Sequence, residues 1–67
     1  MSIDTSSEKL ITPIEAAALF PQRLAPSARS IRRWISQGKL DGFLLAGAYV
    51  TSREAVYRYL QRLAKGE

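Results

Sequence analysis

The spacing of apolar and polar residues changes along this chain, and each change marks an expected element. Residues 1–9 are polar and aperiodic, which predicts a flexible N-terminal tail. Leu10 and Ile11 are the first apolar pair and are expected to tuck against a core. "TPIEAAALF", residues 12–20, then reads as a helix. Thr12 is its N-cap, Pro13 fits the first helical position, and Glu15 stands at capping-box spacing from Thr12. Ile14, Ala17, Ala18 and Phe20 form its expected apolar stripe, and Pro21 stops it. "PQRLAPS" follows as a linker bounded by prolines.

Ser27 is the cap of a second expected helix. At about 100° per residue, Ala28, Ile31, Trp34 and Ile35 gather on one side of it. Arg29, Arg33, Ser36 and Gln37 gather on the opposite side, with Ser30 and Arg32 flanking. Gly38 sits where a C′ glycine ends a helix. After it the pattern turns strand-like: a strand over residues 43–45, a turn at Ala46-Gly47 and a return strand over residues 48–51.

"TSRE" opens the last helix, with Thr51 and Glu54 at capping-box spacing or Ser52 as the cap. Ala55, Val56, Tyr59, Leu60 and Leu63 make its apolar stripe. Arg53, Tyr57, Arg58, Gln61, Arg62 and Lys65 fall mostly off that stripe, and Gly66 ends the helix. The expectation is a mainly α fold with a small β-hairpin, in the order helix, helix, hairpin, helix. It forms one domain over residues 10–65.

Composition narrows the function. A chain of 67 residues builds only a thin core, so neither a buried cofactor nor a deep catalytic cleft is expected. Cysteine and histidine are both absent, which removes thiolate metal sites and the commonest general base, and no convergent carboxylate pair is evident. The reading is a non-enzyme without cofactor or metal. No apolar run approaches the roughly 20 residues that span a bilayer. The N-terminus has no secretory pattern, so a cytoplasmic, nucleoid-associated location is expected, with no membrane partner.

The formal charge of +4 is unevenly spread. Residues 1–22 carry Lys9 against Asp4, Glu8 and Glu15, whereas residues 23–65 carry nine basic side chains against Asp41 and Glu54. Polyanions are natural partners of such a surface. Between Ser27 and Leu40 there is no acidic residue, and Arg29 and Arg33 form a like-charge i,i+4 pair. That arrangement costs stability on a solvated helix and is relieved by a polyanion. Arginine also reads guanine O6 and N7 in the major groove, and Ser27, Ser30 and the first-turn amides suit phosphate oxygens. The alternative is a merely solvated basic helix. Trp34 belongs with the core rather than with a base-stacking platform, and Tyr49, Tyr57 and Tyr59 are read as packing residues.

Helices followed by a hairpin make the winged helix-turn-helix arrangement. Over residues 10–63 the chain resembles the small excisionase-type members of the MerR-like winged-helix superfamily. The resemblance rests on "ITPIEAAALF", on "SARSIRRWISQGKL" with its serine, arginine pair and "GKL", on Gly47 at the hairpin tip, and on "VTSREAVYRYL". Excisionases of this type bind attachment-site DNA, bend it and help an integrase choose excision. Related proteins of the same fold are transcription regulators. Carried over by position, the resemblance implies recognition-helix contacts from Ser27, Arg29, Ser30, Arg32 and Arg33, phosphate contacts from Lys39 and Arg53, and a wing at Ala46, Gly47 and Ala48.

Two features depart from the family pattern. The wing reads "AGAYV" where family wings commonly carry an arginine after the glycine, and the "PQRLAPS" linker is longer than the usual turn. The implied function is that of a recombination directionality factor binding double-stranded DNA cooperatively, with self-association on DNA and a phage-type integrase as partner. A small transcriptional repressor of the same type is the alternative. An adaptor whose basic face meets an acidic protein is a third possibility.

Overall fold

The computed structural model describes residues 3–66, so Met1 and Ser2 of the expected tail lie outside it, as does Glu67. Along the chain run β1 (Leu10–Ile11), α1 (Pro13–Ala17), α2 (Ala28–Ser36), β2 (Phe43–Leu45), β3 (Ala48–Ser52) and α3 (Arg53–Ala64). The helices and the hairpin occur in the expected order. The sheet is larger than expected. It has three antiparallel strands in the order β1-β3-β2, because Leu10 and Ile11 pair with Ser52 and Thr51. The result is a small mixed domain of helices and sheet rather than helices with a bare hairpin.

Thr12 caps α1 as expected. Its hydroxyl accepts from the Glu15 amide at 3.2 Å, and the Glu15 carboxylate accepts from the Thr12 amide at 2.9 Å. Such reciprocal capping satisfies donors that a helix start leaves open. The helix stops at Ala17 rather than near Phe20, and the chain continues through tighter bonds from the Leu19 amide to the Ala16 carbonyl and from Phe20 to Ala17.

The inward side of α1 is also corrected. Ala16 and Phe20 are buried, while Ile14 is 72% exposed and Ala18 is exposed. Five helical residues carry too little periodic signal to fix which side turns inward. Pro13, Ala16 and Phe20, three and four residues apart, define the buried side.

At the start of α2 the Ser27 hydroxyl accepts from the Ser30 amide at 3.1 Å. At its end Gly38 takes φ +77°. The Gly38 amide bonds the Ile35 carbonyl at 3.1 Å and the Lys39 amide bonds the Trp34 carbonyl at 2.9 Å. These crossed bonds form a Schellman motif, which only a residue at ease with positive φ completes without strain. Ile31 and Ile35 are buried and meet Leu40, Ala55, Val56, Ala16 and Phe20 in one core. Fully burying a side chain such as Ile31 stabilises the fold by roughly 1.5–3 kcal/mol.

The hairpin turns through Ala46 (φ +51°) and Gly47 (φ +83°). Paired positive φ values let a two-residue turn follow the right-handed twist of its strands. Gly42 places this hairpin against α2, since a β-carbon there would lie 2.5 Å from the Val50 carbonyl oxygen and 2.9 Å from Ile35 Cγ2.

Ser52, not Thr51, caps α3, its hydroxyl accepting from the Ala55 amide at 2.9 Å. Thr51 is fully buried and spends its hydroxyl on the Asp41 carbonyl at 2.6 Å. The expected stripe of α3 holds for Ala55, Val56, Tyr59 and Leu60, but Leu63 is 43% exposed. Tyr57, expected to pack, is 49% exposed, whereas Tyr49 and Tyr59 do pack against the core.

The contacts of the domain begin before residue 10. Ile3 packs against the core, and the chain turns at Asp4 through a 2.8 Å bond from the Glu8 amide to the Asp4 carbonyl. That turn delivers the Glu8 carboxylate to Ser52 and Arg58. Residues 3–8 therefore hold the fold through a charged contact that polarity alone does not announce.

Candidate nucleic-acid interface

Arg29, Arg32 and Arg33 all lie exposed on α2, while Ile31 and Ile35 of the same helix are buried. Trp34 is half-buried and packs against the core from the edge of the helix. Its indole lies 5.8 Å from the Phe20 ring and stacks on the Tyr59 ring at 5.4 Å. The helix is thus anchored on one side, and the guanidinium groups occupy the other.

The other engagements of the acidic side chains explain why, among the described residues, no carboxylate pairs with these arginines. Asp4 accepts from the Ser6 and Ser7 hydroxyls at 2.6 and 3.0 Å, and chiefly the Ser6 hydroxyl holds its carboxyl below the usual carboxylate range. Glu15 is consumed by the α1 cap, the Thr12 amide being the main group that lowers its pKa. Glu8 accepts from the Ser52 hydroxyl at 2.6 Å and pairs with Arg58 at 3.4 Å. Its carboxyl is held below the ordinary range first by Ser52, then by the Asp4 amide and by Arg58. Asp41 meets Arg58 at 3.3 Å. Glu54 lies in the first turn of α3, where a negative charge suits the helix start. Among the described residues no carboxylate pairs with Arg29, Arg32 or Arg33.

The hydroxyls at the start of α2 are partly committed. Ser27 uses its oxygen for the cap and donates its proton to Ser30 Oγ at 3.2 Å. Ser30 accepts there, and among the described residues its own hydroxyl proton goes to no acceptor. Within the described residues the amides of Ala28 and Arg29 make no hydrogen bond, as befits the first turn of a helix. The start of α2 therefore presents donors, which suits anions.

The remaining candidate residues are dispersed. Lys39 is exposed as the last residue of the Schellman motif that ends α2. Ala46, Gly47 and Ala48 are exposed at the hairpin tip, flanked by Leu44 at 58% and Leu45 at 49% exposure. Arg53 is exposed at the end of β3 away from that tip, where it shares a depression with Lys9, Ile11 and Glu54 rather than with any residue of α2.

Sequence spacing missed two residues near this surface. Arg58 and Arg62 were assigned off the apolar stripe of α3, but both are half-buried, and the Arg62 guanidinium lies over the Tyr59 ring at 5.7 Å. Tyr59 is one helical turn from Arg62, but only the tertiary fold brings Glu8 and Asp41 to Arg58 and the Lys39 carbonyl to Arg62. Among the described residues no group of three potential metal ligands occurs, and no helix is long and apolar enough to cross a membrane.

Comparison of the chain with protein-family models, curated proteins and solved structures finds no match. The likeness to excisionases therefore rests on the quoted motifs and on the order of elements.

Proposed function

We propose that the protein is a winged helix-turn-helix module that binds double-stranded DNA. In this reading α2 enters the major groove, and the β2–β3 hairpin rides on adjacent backbone or minor groove. The observation that carries it is the set of exposed arginines on α2, free of carboxylates among the described residues, on a helix whose opposite side is anchored by Ile31 and Ile35. Arg29, Arg32 and Arg33 with Ser30 supply groove and phosphate contacts, and Lys39 and Arg53 supply phosphate contacts alone.

The role that fits best is that of an excisionase, or recombination directionality factor, which binds attachment-site DNA cooperatively, bends it and directs an integrase towards excision. The uncharged hairpin tip supports the cooperative part. Leu44 and Leu45 offer exposed apolar surface to a neighbouring copy where a charged wing would instead grip the minor groove.

Footprinting on a candidate attachment region tests the reading. Several adjacent protected segments that survive excess unrelated duplex are expected. Complete displacement by unrelated duplex would point to an adaptor that meets acidic surfaces without reading sequence. Specific binding without any effect on integrase-driven excision would keep the DNA module and remove the excision role.

A further inference from the structure

Arg62 is held from two sides. Its guanidinium lies over the Tyr59 ring, 5.7 Å from the centroid, and it donates to the backbone carbonyl of Lys39. Tyr59 stacks on Trp34 at 5.4 Å, and the Lys39 amide donates to the Trp34 carbonyl at 2.9 Å. Trp34, Tyr59, Arg62 and Lys39 thereby close a ring that joins the end of α2 to the last turns of α3. Lys39, Tyr59, Arg62 and Leu63 line an open depression at this ring.

The cations of this ring are unpaired with carboxylates among the described residues, for both Lys39 and Arg62. An adjoining depression includes Asp41, whose carboxylate meets Arg58 at 3.3 Å. An arginine already stacked on an aromatic face and bonded to one carbonyl has lost most of its rotamer freedom before a ligand arrives. It retains further N–H donors in a planar fork, and Lys39 adds a mobile point charge beside it. That pair suits the non-bridging oxygens of a singly charged phosphodiester.

We infer that Lys39 and Arg62 form a phosphate seat for a nucleic-acid backbone, so that the contact surface continues from the C-terminal end of α2 onto α3. The inference rests on the DNA-binding reading above and extends it to Arg62, a residue that the sequence pattern does not assign to the contact surface. The backbone is favoured over an acidic protein because Lys39 directly follows the helix that carries Arg29 and Arg33. One duplex meets both without any further surface.

The test uses the full chain and a short duplex of arbitrary sequence, with affinity measured across salt concentrations. Arg62→Gln is expected to lower the steepness of log K against log salt by about 0.9, the share of one phosphate contact. Arg62→Lys, which keeps the charge, is expected to preserve most of the slope. An unchanged slope in Arg62→Gln, with weakened binding by Arg29→Ala in the same assay, overturns this seat and leaves the DNA reading intact. Unchanged binding by Arg29→Ala, Arg33→Ala and Arg62→Gln alike overturns both.

Should Arg62→Gln fail to fold, the unaltered protein decides the matter. The Arg62 Nε–Hε resonance is expected to shift when the duplex is added. A resonance that stays in place overturns the seat. One that moves with a polyglutamate peptide and not with the duplex overturns it in favour of a protein partner.

Discussion

The indole of Trp34 stacks on the ring of Tyr59 with centroids 5.4 Å apart and planes inclined by 29°. Phe20 closes the group, 5.8 Å from Trp34 and 6.0 Å from Tyr59, so one aromatic cluster ties α2, α3 and the turn after α1 together. Tyr59→Ala is expected to lower stability by about 2–4 kcal/mol, less than the roughly 3–5 kcal/mol of a fully buried aromatic because the ring is only half-buried. Tyr59→Phe, which keeps the ring, should cost less than about 1 kcal/mol, as volume-conserving swaps do. Urea denaturation followed by the fluorescence of Trp34, the one tryptophan in the chain, measures both.

Gly42→Ala tests the contact between the hairpin and α2. The added methyl would meet the Val50 carbonyl oxygen at 2.5 Å, and backbone cannot yield as a flexible side chain does. A loss of about 1–3 kcal/mol is expected from this overpacking. Gly38→Ala is the useful contrast, because nothing lies within 4 Å of a β-carbon there and only the φ of +77° is strained. Thermal melts should show both variants destabilised. Only Gly42→Ala should perturb amide resonances on both α2 and β3.

Acid should loosen the N-terminal contact. The Glu8 pKa is depressed below its ordinary 4.5 in the fold, chiefly by the Ser52 hydroxyl. A carboxyl with a lowered folded pKa contributes stability that is present above its unfolded pKa and lost as pH falls through the folded value. The midpoint of unfolding should therefore fall as pH drops below about 4.5. Glu8→Gln should remove part of that dependence while lowering stability at neutral pH. Ser52→Ala should cost more than Glu8→Gln, since it removes the cap of α3 as well, itself worth about 0.5–2 kcal/mol. Chemical denaturation at a series of pH values distinguishes the variants.

On a specific DNA site, Arg29→Ala or Arg33→Ala should cost about 1–3 kcal/mol and relax sequence preference. Lys39→Ala or Arg53→Ala should weaken binding evenly across sequences and reduce the salt slope by about one unit. Titrations on matched and scrambled duplexes check both. Equal losses on the two duplexes for Arg29→Ala would move that residue from base reading to phosphate contact.

What the sequence disclosed follows the range of the interaction involved. The ends of α2 were legible because Ser27 and Gly38 act on neighbours three to five residues away. The hairpin was legible because its turn needs positive φ where Gly47 stands. β1 was not, since a two-residue strand has no period of its own and exists only through Ser52 and Thr51. Glu8 and Arg58 meet across 50 positions of chain, and Arg62 reaches Lys39 across 23. No local pattern encodes such pairs. Ile14 misled because an isoleucine in a five-residue helix looks inward by type, although Ala16 and Phe20 already fill that side.

The same locality explains which candidate site residues came together. Arg29, Arg32 and Arg33 share one helix, so their common exposure needed only its phase. Arg53 was grouped with them through its position beside the hairpin, yet the fold sets it beside Lys9 and Glu54.

The missing methyl at Gly42 carries one last implication. With Ile35 and the Val50 carbonyl leaving no room for even a methyl at Gly42, helix and hairpin meet there without a gap to slide in. The interval between them is thus a built-in ruler, and any surface that engages both must present its features at that fixed pitch.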